Sequence, residues 1–166
     1  INESLVNSNT QDDQQEYLTK QIQNLTPTEI IGFKLRTDKL LFDTYTPELW
    51  CAGYIINEGC SDDAFEYFRS WIISRGRDVF YNAKSNPDSL ITEIKDEFDY
   101  YDFESLNQIP DEAFKAKTSS DIYDYIDEVS FDKIVGRYPE IKFNWAEENP
   151  QSMQAICPKL FEKKWK

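Results

Sequence analysis

The stretch CSDDAFEYFRSWIISRGR, Cys60 to Arg77, gathers residue types that can do chemistry into eighteen positions. Asp62, Asp63 and Glu66 lie at spacings that bring carboxylates together near a helix start. There they could bind a divalent cation through oxygen, or supply an acid and base pair of the kind used on sugars. The same spacing serves a helix for its own sake, because acids in the first turn meet the helix dipole and Glu66 pairs with Arg69 on the surface. Capping and pairing are the stronger reading, and no calcium-loop spacing supports the other. Cys60 and Ser61 are possible nucleophiles, but the chain has no histidine to activate them. Arg69, Arg75 and Arg77, with Lys84, form the densest positive cluster, suited to clasping phosphate or carboxylate or to neutralising neighbouring acids. Asp62, Asp63, Glu66, Arg69, Arg75 and Arg77 are therefore the candidate ligand- or partner-binding set.

Two further runs alternate acids with aromatics. DEFDYYDFE carries Asp99, Tyr100, Tyr101, Asp102 and Glu104, and DIYDYIDE carries Asp121, Tyr123, Asp124, Tyr125 and Asp127. Tyrosine buries contact area at low entropic cost, so some of these rings are expected on a partner-binding acidic face and the rest in the core. With 31 acids against 18 bases, the formal charge of −13 repels phosphate backbones and anionic membranes and steers basic proteins inward. Nucleic acid and membrane are excluded as expected partners, and no cofactor or metal is expected. The three cysteines form no CxxC pair and read as reduced thiols, and with no apolar run of membrane-spanning length and no basic region leading into a hydrophobic stretch at the N-terminus, a cytoplasmic location is expected. The chain opens on Ile1, and a short piece before it is expected.

These residues need helices to position them. An aromatic content of 15% in 166 residues supports one folded domain, 1–166, with one core. The first ten residues read as the tail of a helix with Ile1, Leu5 and Val6 inward. Tyr17, Leu18, Ile22 and Leu25 form an amphipathic stripe that stops before TPTE. There Thr26, Pro27 and Glu29 make a start signal with capping-box spacing. The helix that follows carries Ile30, Phe33, Thr37, Leu40 and Leu41 and ends near Tyr45. Thr46 and Pro47 start another, LWCAGYII, which is apolar on nearly every side and belongs in the centre of a bundle; Gly59 is the expected stop. Phe65, Phe68, Trp71 and Ile72 give the next stripe. NPDSL restarts a helix, and Pro110 interrupts a segment with Phe103, Leu106, Ala113 and Phe114 inward. SSDIYDYIDEV reads as a short helix capped by Ser119 or Ser120, GRYPEIKFNW as irregular, and the tail as short helices broken near Pro158. The expected class is all-α, a single-domain irregular helical bundle with a buried central helix.

Through LWCAGYIINEGCSDDAFEYFRSWIISRGRDVF, then NPDSL, YDFESLNQIPDEAFKAKT and, more weakly, CPKLF, the sequence resembles the bacterial domain-of-unknown-function family 4240. The shared features are a tryptophan-containing helix, Gly-Cys-Ser-Asp-Asp, Phe-x-Tyr-Phe-Arg and Gly-Arg. Glu58 departs from the pattern, which usually places a second glycine there. The resemblance implies a compact, mostly helical domain and carries no reaction or catalytic residue with it. The first expectation for function is a non-catalytic binding protein, most concretely an immunity- or antitoxin-like protein covering a basic toxin or effector domain. The second is an enzyme or small-ligand module in which Asp62, Asp63, Glu66, Arg69 and Arg75 face one pocket.

Overall fold

Capping residues set most of the helix boundaries. The computed structural model describes residues 1–165. Helix α1, Asn2–Val6, has only five residues and buries only Ser4, so Val6 stands 86% exposed rather than inward. Helix α2, Gln11–Gln23, starts on a reciprocal box. Asp13 N donates to Thr10 Oγ1 and Thr10 N donates to Asp13 Oδ2, both at 3.1 Å. Its buried stripe is Leu18 and Ile22, continued one turn earlier by Gln14. Helix α3, Pro27–Asp43, begins on the expected Thr26–Glu29 box, and its inner face carries Lys34 and Asp38 beside Ile30 and Leu41.

Helix α4, Pro47–Asn57, is the buried centre: Leu49 to Gly53 and Ile55 to Asn57 are all buried. It stops one residue before the expected glycine, because Glu58 itself takes the left-handed conformation (φ +56°). Gly59 follows with φ +135°. Helix α5, Asp62–Ser74, is capped by Ser61, whose Oγ accepts from Ala64 N at 3.3 Å. The two helices lock tightly. Trp50 stacks on Phe65 at 4.5 Å and donates from Nε1 to the Cys60 carbonyl at 2.8 Å, while a Cβ on Gly53 would lie 2.9 Å from the Phe68 ring.

Helix α6 spans Arg77–Ser85. Beyond it, the helix that NPDSL restarts is the 3-10 helix Pro87–Thr92. Helix α7, Ser105–Thr118, continues through Pro110. Leu106 and Ile109 before the proline and Ala113 and Phe114 after it are all buried, so packing on both sides outweighs the missing backbone donor. SSDIYDYIDEV divides into two pieces, the 3-10 helix Ile122–Tyr125 and helix α8, Glu128–Ile134. Their caps are Asp121 and Asp127 rather than the serines, because Ser119 takes the left-handed position that ends α7. Helices α9, Pro150–Ile156, and α10, Pro158–Lys164, break where the sequence predicts.

The fold is all-α, and among the described residues no strand forms; Ala146 and Asn149 make an isolated bridge. Helices α5, α9 and α10 and the first 3-10 helix pack against α4, while α7 packs across α2 and α3. One buried apolar cluster runs from Leu18 to Leu160. Each large side chain in it contributes about 1.5–3 kcal/mol by leaving water. Asp88 in the first 3-10 helix is buried, and its Oδ1 accepts from Lys159 N and Leu160 N at 2.9 Å. It thereby satisfies open amides at the start of α10 across seventy residues of chain.

Candidate functional site

The charged set on α5 separates into different environments. Asp62 and Asp63 are exposed in the first turn. Glu66 is also exposed, and its Oε1 accepts from Asn107 Nδ2 at 2.9 Å. Arg69 turns inward and is 3% exposed. Its Nη1 donates to the Leu41 carbonyl at 2.6 Å, in the last turn of α3, and its Nε donates to the Phe65 carbonyl at 3.3 Å. The guanidinium lies 4.6 Å from the Phe65 ring centroid and 5.1 Å from that of Tyr45. It therefore acts as a buried cationic cap on α3, held by ring faces and carbonyls. Arg75, half-buried at the other end of α5, donates from Nη2 to Gln14 Oε1 at 2.6 Å. Arg77 is exposed, and its backbone N donates to Asn2 Oδ1. Asp62, Asp63 and Glu66 toward the start of α5 and Arg75 at its end are thus held apart by the helix's length, with Arg69 turned inward between them.

Cys60 lacks the character of a nucleophile. Burial pushes its thiol up to about 12, with Arg69 only partly opposing this. A thiol so raised is almost entirely protonated at neutral pH. Cys157 is likewise held above the ordinary thiol range, first by its hydrogen bond with Cys51 and then by burial. Among the described residues, no group of three or more acids or cysteines is arranged to hold a metal. No helix among them is long and apolar enough to cross a membrane.

The two acidic, aromatic runs lie before and after α7, at opposite ends of a helix about 20 Å long. They form two surfaces rather than one. In the first run Asp99 and Tyr100 are exposed, but Tyr101 is only 4% exposed and belongs to the core. Asn57 on α4 pairs with both its backbone N and its carbonyl, and its hydroxyl meets the backbone of Lys95. Asp102 is half-buried, and burial raises its carboxyl above the usual range, with Glu104 adding to this. Glu104 accepts from Gln108.

The second run leaves more apolar surface open. Asp121 and Asp127 cap their helices and remain exposed with Asp124. Hydrogen bonds from Ser130 hold the Asp127 carboxyl below the usual range. Tyr125 is 60% exposed while its ring meets Phe114 edge-on at 5.2 Å, and Tyr123 lies 6.4 Å from Phe131. Helix α8 buries no residue fully and leaves Val129 78% exposed. Ile134 in the same helix is also exposed, as are Asp121, Asp124, Asp127 and Glu128, while Tyr138 beyond it is half exposed with its ring against Phe42 and Tyr45.

Beneath Tyr123 lies a charge cluster that the helical stripe concealed. Lys34 Nζ is 3.2 Å from Asp38, 3.9 Å from Asp111 and 5.5 Å from the Tyr123 ring centroid. Burial works against the lysine's charge, but Asp38, Tyr123 and Asp111 outweigh it and hold Lys34 above the ordinary lysine range. Burial raises Asp38 and Asp111, with Lys34 opposing. Asp38 Oδ2 and Asp111 Oδ1 are buried without a hydrogen-bond partner. The spacing of four between Lys34 and Asp38, on the same side as Ile30 and Leu41, was the available signal.

No curated protein and no solved structure matches the chain. A family model does, over residues 1–116, which takes in helices α1 to α6 and most of α7. The chain belongs to the family described as protein of unknown function, DUF4240.

Proposed function

We propose that the chain is a non-catalytic binding protein that captures a basic protein partner on the surface formed by the second 3-10 helix and α8. Its most concrete form is a bacterial immunity- or antitoxin-like protein that covers a toxin or effector domain. The observation that carries this reading is α8 itself, a helix that buries no residue fully yet holds Val129 and Ile134 outward beside Tyr123 and Tyr125. Exposed apolar side chains ringed by charge are characteristic of association surfaces. Asp121, Asp124, Asp127 and Glu128 supply the ring, and the overall charge of −13 draws a basic protein toward it. The dispersal of Asp62, Asp63, Glu66, Arg69 and Arg75 gives the enzyme reading no comparable support.

The test is association with a basic effector domain encoded beside the chain's gene, measured by stopped flow from about 50 to about 500 mM salt. The on-rate should fall as salt rises, while Tyr125→Ala and Val129→Asp should speed dissociation. Association insensitive to salt and to both substitutions would remove this surface from consideration.

A further inference from the structure

A cavity of about 410 Å³ opens between α2, the end of α5 and the segment leading into α7. Arg75 forms one wall. Its guanidinium is oriented from one edge: Nη2 donates to Gln14 Oε1 at 2.6 Å and, with Nε, to Ser74 Oγ at 3.2 Å. Gln14 is itself fixed, donating to the Ser74 carbonyl at 2.8 Å and to Ser4 Oγ at 3.0 Å, and all three of these supports are buried. The hydrogen bonds therefore leave from Nε and Nη2, and the Nη1 edge has none among the described residues. No carboxylate among them comes within ion-pairing distance of Arg75 either. Glu93 acts on Arg75 only from beyond ion-pairing distance, and a half-buried arginine aimed by buried neighbours without a direct ion pair has the arrangement of a receptor for an anion.

The remaining walls define what the anion is attached to. Trp71 and Tyr101 meet edge-to-face at 5.0 Å and touch the cavity with little surface, each only 4% exposed, so Phe98 and Tyr100, about half exposed, supply its aromatic side. Asp12, Glu93 and Asp102 also line it and outnumber its two cations, Arg75 and Lys95. These acids oppose a multiply charged ligand such as a polyphosphate and leave a single negative charge as the one Arg75 can accept. The volume lies within the range that holds small organic molecules. We propose that this cavity binds a small organic carboxylate with a flat aromatic body, its carboxylate gripped by Arg75 and its ring lying along Phe98 and Tyr100. The site stands apart from the α8 surface and does not depend on the protein partner.

Benzoate, phenylacetate and indole-3-acetate, each beside its neutral amide, serve as probes. Binding is read by saturation-transfer NMR and calorimetry on the full chain. At least one carboxylate should bind with a dissociation constant of about 0.1–1 mM, as ligands of this size allow. Its amide should bind at least about tenfold more weakly. Arg75→Gln should weaken the carboxylate by about tenfold to a hundredfold, whereas Lys115→Gln, far from the cavity, should leave it unchanged. Arg75→Lys keeps the charge without the planar fork and should fall between, which keeps the test decisive if Arg75→Gln does not fold. The proposal is overturned if the amides bind as well as the acids, if folded Arg75 variants bind like the wild type, or if none of the three carboxylates binds.

Discussion

Replacing Arg69 separates a structural cation from a binding residue. Its guanidinium makes a charge-assisted bond of 2.6 Å to the Leu41 carbonyl and faces the rings of Phe65 and Tyr45. A hydrogen bond to a charged group contributes about 1.5–3 kcal/mol, and a desolvated cation over an aromatic face about 2 kcal/mol. Truncation to alanine also leaves a void, while release from burying an unpaired cation returns part of the loss. Arg69→Ala should therefore cost about 3–4 kcal/mol, and in a chain of this size each 1 kcal/mol moves the melting midpoint by about 2–4 °C. Arg69→Met fills the space without a charge. The Leu41 carbonyl still accepts from Thr44 N at 3.3 Å and Thr44 Oγ1 at 3.1 Å, so the cost should be about 1–2 kcal/mol. Urea unfolding followed by tryptophan fluorescence gives both values, with partner and carboxylate binding measured on the folded variants. The reasoning fails if Arg69→Ala unfolds within about 0.5 kcal/mol of the wild type while abolishing either binding.

Glu58→Gly relieves a side chain held at φ +56° and should raise stability by about 0.5–1 kcal/mol, read as a higher melting midpoint. Asp111→Asn tests the cluster around Lys34. A carboxyl whose folded pKa is raised holds its proton more readily than in the unfolded chain, so its effect on stability becomes less favourable as pH rises through that window. The asparagine variant should therefore melt above the wild type near neutral pH, and the difference should shrink as pH falls toward about 4, the unfolded value. A difference that does not vary between those limits contradicts the assignment.

What the sequence made legible was local. Thr26, Pro27 and Glu29 mark a helix start because every bond of the box lies within four residues, and LWCAGYII declares its burial by having no polar side. What stayed hidden depended on direction or distance. Arg69 lies one turn from Glu66, and the same position on α5 serves outward pairing or inward capping; only the carbonyl end of α3 decides between them. Tyr101 reads like its exposed neighbour Tyr100 until Asn57, forty-four residues earlier, takes both of its backbone groups. Arg75 meets Gln14 across sixty-one residues, so no window along the chain contains that part of the cavity. Pro110 reads as a break because the penalty is local, whereas the packing that overrides it comes from α2 and α3.

The docking of the last two helices sets a limit on dissecting this protein. Met153, Cys157 and Leu160 are fully buried, α9 and α10 both lie against α4, and Asp88 fastens the start of α10. The family match ends at residue 116, before any of these three side chains. A fragment cut at that boundary would open one flank of the most apolar helix to water and strand the Asp88 carboxylate without its two amides. The stretch the family match recognises is consequently shorter than the stretch of chain that keeps α4 covered.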